Sequence, residues 1–177
     1  MFMKKFILLL YTCAVLTSCA DKPFVIIQIA DAQLGFDAAV KGQAPDAEYV
    51  NDLTYETEFL KQAVQKVNAL KADAVVFTGD QVNKPEDVQQ WDTFADAISE
   101  IDSQTSVFHI PGNHDVLLSE GKVDITPFSS RYGEDRFVYS DNKVCIVGIN
   151  SNLIKSNDPR EEEQFEWMRS VLEAAGN

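Results

Sequence analysis

The stretch Ala74-Val75-Val76-Phe77, followed closely by Gly79-Asp80, decides how the rest of the sequence is interpreted. A short apolar run that leads into a glycine and an aspartate is typical of a buried strand whose carboxyl end opens into a loop. Three more apolar runs have the same compact form, at residues 24–29, 107–110 and 144–149. Strands that are covered on both faces need such runs, so we predict a sheet built from these segments.

Helical patterns lie between the predicted strands. Apolar residues recur at helical spacing from Phe59 to Leu70 and from Trp91 to Ile101, and Pro85 suits the first turn of the second helix. A third helix is predicted to begin at Asp158-Pro159-Arg160-Glu161, which has a capping-box pattern. Its predicted buried residues are Phe165, Met168, Leu172 and Ala175. The alternation of strands and helices predicts an α/β fold.

Two connections have their own signals. Phe137-Val138-Tyr139 precedes the run at 144–149, and Asp141-Asn142 between them predicts a hairpin turn. The stretch from Leu34 to Asn51 contains two glycines and a proline and is predicted to be a long loop after the first strand.

Composition restricts the class of partner. The chain has 177 residues, of which 45% are hydrophobic and 24% charged, so we expect about one packed domain. It carries 15 basic and 28 acidic side chains, a formal charge of −13. Such a surface repels phosphate backbones, and no nucleic-acid partner is expected. A substrate that bears a phosphate would therefore need an added cation, for which a metal is the natural candidate.

The first nineteen residues have the pattern of a bacterial lipoprotein signal. Lys4 and Lys5 precede an apolar run from Phe6 to Leu16, which is too short to span a bilayer. The segment Leu16-Thr17-Ser18-Cys19 resembles a lipobox, so we predict a signal peptide at 1–18, lipidation of Cys19, a short tether at 19–23 and a domain at 24–177. This places the protein in the bacterial cell envelope, on the periplasmic side or at the cell surface, with a membrane as partner. A plain secretory signal or a buried helix remains the alternative.

Removal of the signal would leave Cys19 and Cys145 as the cysteines of the mature chain. With Cys19 lipidated, no disulfide framework is possible within it. Cys145 lies in an apolar run and is predicted to be a small buried residue.

Polar residues follow three of the predicted strands. Asp31-Ala32-Gln33 follows the first, Gly79-Asp80 the second, and Gly112-Asn113-His114-Asp115 the third. In open α/β sheets, ligands bind at the carboxyl ends of the strands. Taken singly, each segment is ordinary turn chemistry. The third is the most informative, because Asn, His and Asp together offer a carbonyl ligand, a titratable ring and a carboxylate.

In this order the three segments resemble the motifs of the calcineurin-like metallophosphoesterases, which read D-x-H, G-D and G-N-H-D. The resemblance is closest to the calcineurin-like phosphoesterase domain-containing subgroup, where the first motif is D-x-Q, as in residues 30–35 here. It runs from about Phe24 to the end of the chain and includes the Asn150-Ser151 pair. It implies an α/β/β/α sandwich, a mixed sheet with flanking helices, of which this chain would be the N-terminal part.

The resemblance also implies a site with two divalent metal ions, for which Mn, Fe, Mg and Zn are the candidates. Asp31 and Gln33 would lie at one ion, Asp80 would bridge both, and Asn113 would bind the second through its carbonyl oxygen. Oxygen donors suit hard divalent ions, and two such ions can hold a phosphoryl oxygen and activate water. Gln33 stands where the wider family has His, which favours harder ions such as Mn²⁺ or Mg²⁺.

Catalytic roles follow from the same resemblance. His114 would protonate the leaving alkoxide or stabilise developing charge, and Asp115 would hold its ring in the useful tautomer. His109 lies inside a predicted strand, and we do not expect it to be a ligand.

The implied function is metal-dependent hydrolysis of a phosphate mono- or diester. Members of the family carry a further His and a G-H-x-H motif, neither of which precedes Asn177. We therefore expect an N-terminal fragment with an exposed sheet face, low solubility and little or no catalysis by itself. The alternatives are an envelope lipoprotein that keeps the fold as a non-catalytic binding module, and a non-functional fragment.

Overall fold

A computed structural model of the chain describes residues 22–43, 50–141 and 144–176. The predicted signal peptide and the predicted lipidation site Cys19 lie outside the described residues. Within the part that is described, no helix has both the length and the apolar character that crossing a bilayer requires.

The centre of the fold is a three-stranded parallel sheet in the order β1-β2-β3. The strands are β1 (Ile26–Ile29), β2 (Ala74–Thr78) and β3 (Ser106–Ile110). Ala74 and Val75 in the central strand are both fully buried although they face opposite sides of the sheet, which explains the continuous apolar run. The prediction of these three strands is confirmed.

Five helices connect and cover the strands in the described part of the chain. They are α1 (Phe36–Lys41), α2 (Thr54–Leu70), α3 (Val88–Ile98), α4 (Thr126–Tyr132) and α5 (Arg160–Ala175). The main core lies where α2 and α3 pack on one face of the sheet, and its buried residues include Leu60, Val67, Val75, Phe77, Phe94 and Ala97. The prediction of an α/β fold with flanking helices is confirmed.

Two antiparallel hairpins complete the described structure. They are β4 (Leu117–Ser119) with β5 (Lys122–Asp124), and β6 (Phe137–Ser140) with β7 (Cys145–Gly148). The second hairpin was predicted and is confirmed; Asn142 of its turn lies outside the described residues. It packs beside β3, where the ring of Phe137 stacks on Phe108 at a centroid distance of 4.5 Å.

Two predictions near the first two helices are wrong. The predicted loop after β1 contains α1, which begins after Gly35 because glycine accommodates the left-handed φ of 92° needed there, and which buries Ala38. Pro85 is not in the first turn of α3. The N-cap is Asp87, whose side chain accepts a hydrogen bond from the backbone N–H of Gln90 at 3.1 Å.

Two burial predictions near the C-terminus also fail. Leu172 is 51% exposed and Ala175 is exposed, whereas the buried residue of α5 is Gln164, which bonds to the backbone of Asn150. Cys145 is exposed, at the start of β7, and the prediction of a buried residue is wrong.

Candidate functional site

The loops that follow β1, β2 and β3 are joined by backbone hydrogen bonds. The N–H of Asp31 donates to the carbonyl of Gly79 at 3.2 Å, and the N–H of Gln33 donates to the carbonyl of Asp80 at 2.8 Å. Parallel pairing aligns the carboxyl ends of the strands at one edge, and these bonds continue the pairing of β1 with β2 into the loops. The backbones of the first two predicted segments are thus in direct contact.

The predicted metal ligands of these two loops have left-handed backbone. The φ angles are 55° at Asp31, 41° at Gln33 and 50° at Asp80. Residues other than glycine adopt this region at a cost, and such residues cluster at functional sites. Only three other non-glycine residues in the described part of the chain share it. The fold therefore maintains an unfavourable conformation at three predicted ligands.

Asp80 is also bonded to the third segment. Its Oδ1 accepts a hydrogen bond from the backbone N–H of His114 at 2.9 Å. This contact requires Gly112, because a Cβ there would lie 2.1 Å from the same Oδ1. Gly79 fits against Gly112 for a similar reason, since a Cβ on Gly79 would lie 2.7 Å from the Cα of Gly112. The two glycines let the loops approach closely enough to orient the Asp80 carboxylate.

The ring of His114 is oriented by a backbone group. Its Nδ1 lies 2.9 Å from the carbonyl oxygen of Asn83. A carbonyl only accepts hydrogen bonds, so Nδ1 carries the hydrogen and Nε2 holds the lone pair of the neutral ring. The sequence-based assignment of this role to Asp115 is wrong, because both carboxylate oxygens of Asp115 are bonded to backbone amides instead.

Asp115 is buried and links the loops after β2 and β3 through hydrogen bonds. It is fully buried, and its carboxylate accepts hydrogen bonds from the N–H groups of Gln81 at 2.8 Å, Val82 at 3.2 Å and Gly112 at 2.8 Å. Burial raises the pKa of Asp115 to about 7, against the opposing effect of these three bonds. Asp115 is thus a positioning residue for the second and third segments.

Asn113 lies between Gly112 and His114 and is exposed, as is Asp31. Gln33 and Asp80 are half-buried. These four residues supply carboxylate and amide oxygens, a donor set that fits a hard divalent ion. No group of three His, Cys, Asp or Glu side chains in metal-binding geometry occurs among residues 22–43, 50–141 and 144–176.

Several residues that support the site were missed. Asn152 donates from Nδ2 to the carbonyl of Pro111 at 3.2 Å, and Gln81 donates from Nε2 to the carbonyl of Ile110 at 3.1 Å. The position of Asn152 directly after the Asn150-Ser151 pair was the available signal. The contact of the Asn83 carbonyl with His114 could not be predicted from the sequence, since every residue has a backbone carbonyl.

His109 lies away from these loops, on the helix-covered face of the sheet. Its ring stacks on Tyr132 at 4.0 Å and on Phe77 at 5.0 Å between ring centroids. Burial lowers the pKa of His109 to about 4, so the ring is neutral near pH 7. These contacts are those of a core residue.

Three comparisons with known proteins found relatives of this chain. A family model described as Calcineurin-like phosphoesterase matches residues 24–175. The chain is similar to the serine/threonine-protein phosphatase CPPED1 of Bos taurus, with 28% identity over an alignment of 164 residues that covers 87% of this chain and 52% of that protein. The chain thus spans about half the length of this curated relative.

A solved structure is similar as well. It is the purple acid phosphatase PPD1 isolated from yellow lupin (Lupinus luteus) seeds, with a TM-score of 0.54 and 16% identity. The match covers 83% of this chain and 27% of that chain. At this identity the likeness shows a shared fold.

Proposed function

The chain belongs to the calcineurin-like phosphoesterase family, and we propose that it contributes a metal-dependent site that hydrolyses a phosphate mono- or diester. The observation that supports this most strongly is the convergence of three strand-end loops on Asp80. The loop after β1 bonds to its backbone carbonyl, and the loop after β3 bonds to its side chain. A turn that only ended a strand would not require this convergence.

Asp31, Gln33, Asp80 and Asn113 are the residues that would hold the metal. Their oxygens match the preference of Mn²⁺ or Mg²⁺, and with 28 acidic against 15 basic side chains the protein needs a cation to attract a phosphate. Bound divalent ions would neutralise charge on the phosphoryl oxygens and lower the pKa of a water molecule.

The chain's own residues would handle orientation and the proton. The Asn83 carbonyl keeps the hydrogen of His114 on Nδ1, so Nε2 is the atom that would take up a proton and give it to the leaving alkoxide. Asp115 would not touch substrate. It would keep the loops of Asp80 and His114 in register through its three backbone bonds.

Hydrolysis of 4-nitrophenyl phosphate by the purified full-length protein, with any residues encoded beyond Asn177 included, tests the proposal, because little or no turnover is expected from residues 1–177 by themselves. We expect turnover that depends on added Mn²⁺, Mg²⁺, Fe²⁺ or Zn²⁺ and falls by at least about a hundredfold in Asp80→Asn. Asp96→Asn is the matched control, because Asp96 is exposed on α3 and takes no part in the site. Absence of turnover with every metal, in a protein that also binds none, would support the non-catalytic alternative.

We further propose that the protein is a lipoprotein of the bacterial envelope, anchored through Cys19. The support is the order of charged, apolar and small residues before Cys19. Labelling with a radioactive fatty acid in a bacterial host tests this. Label that is incorporated into the wild-type protein and lost in Cys19→Ser is expected, whereas equal labelling of both would contradict the anchor.

A further inference from the structure

A cavity of about 540 Å³ lies beside the candidate site, where the end of β1 meets α1 and α2. Two of the proposed metal ligands, Asp31 and Gln33, line it. A substrate bound at the metal site would therefore have this cavity next to it. This size is within the range of cavities that bind small molecules.

Much of the cavity wall consists of large apolar side chains that remain open to solvent. Phe36 is 48%, Val40 49%, Tyr55 59% and Phe59 56% exposed. The rings of Tyr55 and Phe59 lie 4.9 Å apart between centroids, inclined by 59°. Four such residues around one cavity form a surface suited to the apolar body of a ligand.

Glu56 lines the same cavity and has an unsatisfied oxygen. The residue is only 9% exposed, and its Oε1 accepts a hydrogen bond from the N–H of Asp37 at 2.6 Å. Its Oε2 is buried and has no hydrogen-bond partner among the described residues. A buried carboxylate oxygen without a donor is costly, so a shift of the Glu56 side chain that brings Oε2 to a positively charged donor in the cavity would gain free energy.

The charges around the cavity favour a cation. Asp31, Asp37 and Glu56 line it, and of these Asp31 is a proposed metal ligand and Asp37 is paired with the neighbouring Lys41 at 2.5 Å, which leaves Glu56 as the carboxylate available to a cation. The hydrogen bond to Asp37 raises the pKa of Lys41, so this lysine stays charged and paired with Asp37. Aromatic rings add to the preference, because their faces attract organic cations.

We propose that this cavity binds an organic ammonium group carried on an apolar body, and that this group is part of the ester the protein hydrolyses. The ammonium group pairs with the carboxylate of Glu56, whose side chain moves to present Oε2 to it, and the apolar body lies against the rings of Tyr55 and Phe59. The claim that the ammonium group is part of the substrate rests on the proposed function, whereas the claim that the cavity binds an organic ammonium group does not. The substrate class is therefore a phosphate ester whose alcohol carries an amine.

Calorimetry on metal-free protein tests the cavity without any hydrolysis. Phenethylammonium is the probe, and 2-phenylethanol is its neutral counterpart. We expect the cation to bind at least about tenfold more tightly than the alcohol, and Glu56→Gln to remove that difference. Glu56→Gln keeps an oxygen for the Asp37 N–H, and circular dichroism checks its fold. Glu58→Gln, exposed on the same helix, is the matched control and should bind as the wild type does.

A second variant guards against failure of Glu56→Gln to fold. Phe59 is more than half exposed, so Phe59→Ala should fold normally, and it should bind both phenethylammonium and 2-phenylethanol more weakly than the wild type does. Equal affinity of the wild-type protein for the cation and the alcohol would overturn the proposal. So would unchanged binding of the cation by folded Glu56→Gln.

Kinetics with two esters separate the two halves of the proposal. Tyramine phosphate carries the ammonium group, and 4-ethylphenyl phosphate does not. With metal added, we expect a kcat/KM about tenfold higher for tyramine phosphate, and loss of that preference in Glu56→Gln. Equal kcat/KM for both esters would overturn the substrate class. Failure of the full-length protein to hydrolyse either ester would refute the proposed function, and calorimetry would still decide whether the cavity binds cations.

Discussion

The backbone N–H of His114 donates a 2.9 Å hydrogen bond to Oδ1 of Asp80 and so links the loops after β2 and β3. The side chain proposed to bridge two metals is therefore oriented by the same segment that supplies the proposed acid. Any change that displaces the 112–115 loop should disturb both metal binding and proton transfer.

Gly112→Ala is the most direct way to displace that loop. The added Cβ would lie 2.1 Å from Oδ1 and 2.4 Å from the backbone N of Asp80, so the loop must move. We expect a loss of about 1–3 kcal/mol in the free energy of unfolding and weaker metal binding, measured by urea denaturation and calorimetry. Gly176→Ala is the control, since the nearest atom to its Cβ would be 3.5 Å away. Equal stability of both variants would refute the close approach.

Asp115→Asn should weaken the support beneath the site. The carboxyl group has two oxygens that can accept hydrogen bonds even when it is protonated, whereas the amide has one, so at least one of the three backbone N–H groups is left without an acceptor. We expect a cost of about 1–3 kcal/mol in the free energy of unfolding, measured by urea denaturation near pH 4. A variant as stable as the wild type at that pH would contradict the assigned role.

The same carboxyl group should make the stability of metal-free protein depend on pH. The folded pKa of Asp115 is raised from 3.8 to about 7, so the folded state binds a proton more tightly than the unfolded state. Its contribution is complete below about pH 3.8 and is lost as the pH rises to 7. The stability difference between wild type and Asp115→Asn should therefore shrink over this range. A difference that grows with pH would show that the shift has the opposite sign.

His109→Phe should be tolerated. Nδ1 of His109 is buried without a partner among the described residues, and the ring already stacks on Phe77 and Tyr132. The pKa of His109 is lowered from 6.5 to about 4, so its contribution to stability is lost as the pH falls through that interval. We expect thermal melts of the variant to show unchanged or higher stability at pH 7 and to lose this acid dependence. Loss of hydrolysis in a folded variant would place His109 in the site after all.

His114→Ala should separate proton transfer from loop geometry. The hydrogen bond to Asp80 comes from the backbone of His114 and survives the substitution, so metal binding should be retained. Hydrolysis of 4-nitrophenyl phosphate should fall by about 10²–10⁴-fold, as measured in steady-state assays with saturating metal. A variant that loses its metal while its fold is intact would make the ring a ligand instead.

The sequence was sufficient for the parts of the fold that repeat a pattern. Apolar runs predicted β1, β2 and β3, and the match is clearest for β2, where Ala74, Val75, Val76 and Phe77 are all buried. The polar segments after these strands then pointed to one sheet edge. The strands β4 and β5 and the helix α4 were not predicted, since a strand of three residues and a helix of two turns carry too few periodic positions.

What could not be predicted depends on tertiary contacts. The ring of His114 is held by the Asn83 carbonyl, and a backbone group leaves no trace in the sequence. Asp115 directly follows His114 and was assigned to it for that reason, but its side chain is directed to backbone amides of the preceding loop. Leu172 fits the helical spacing and is still exposed, because spacing shows which residues share a face and not whether that face is covered.

Titration of the protein with Mn²⁺, followed by calorimetry, tests most directly whether the three loops form a metal site. The full-length wild-type protein and its Asp96→Asn variant should bind Mn²⁺, and Asp80→Asn should bind it at least about tenfold more weakly while remaining folded. Binding that is identical in folded Asp80→Asn, or absent from the wild type, would contradict a metal site at this edge of the sheet.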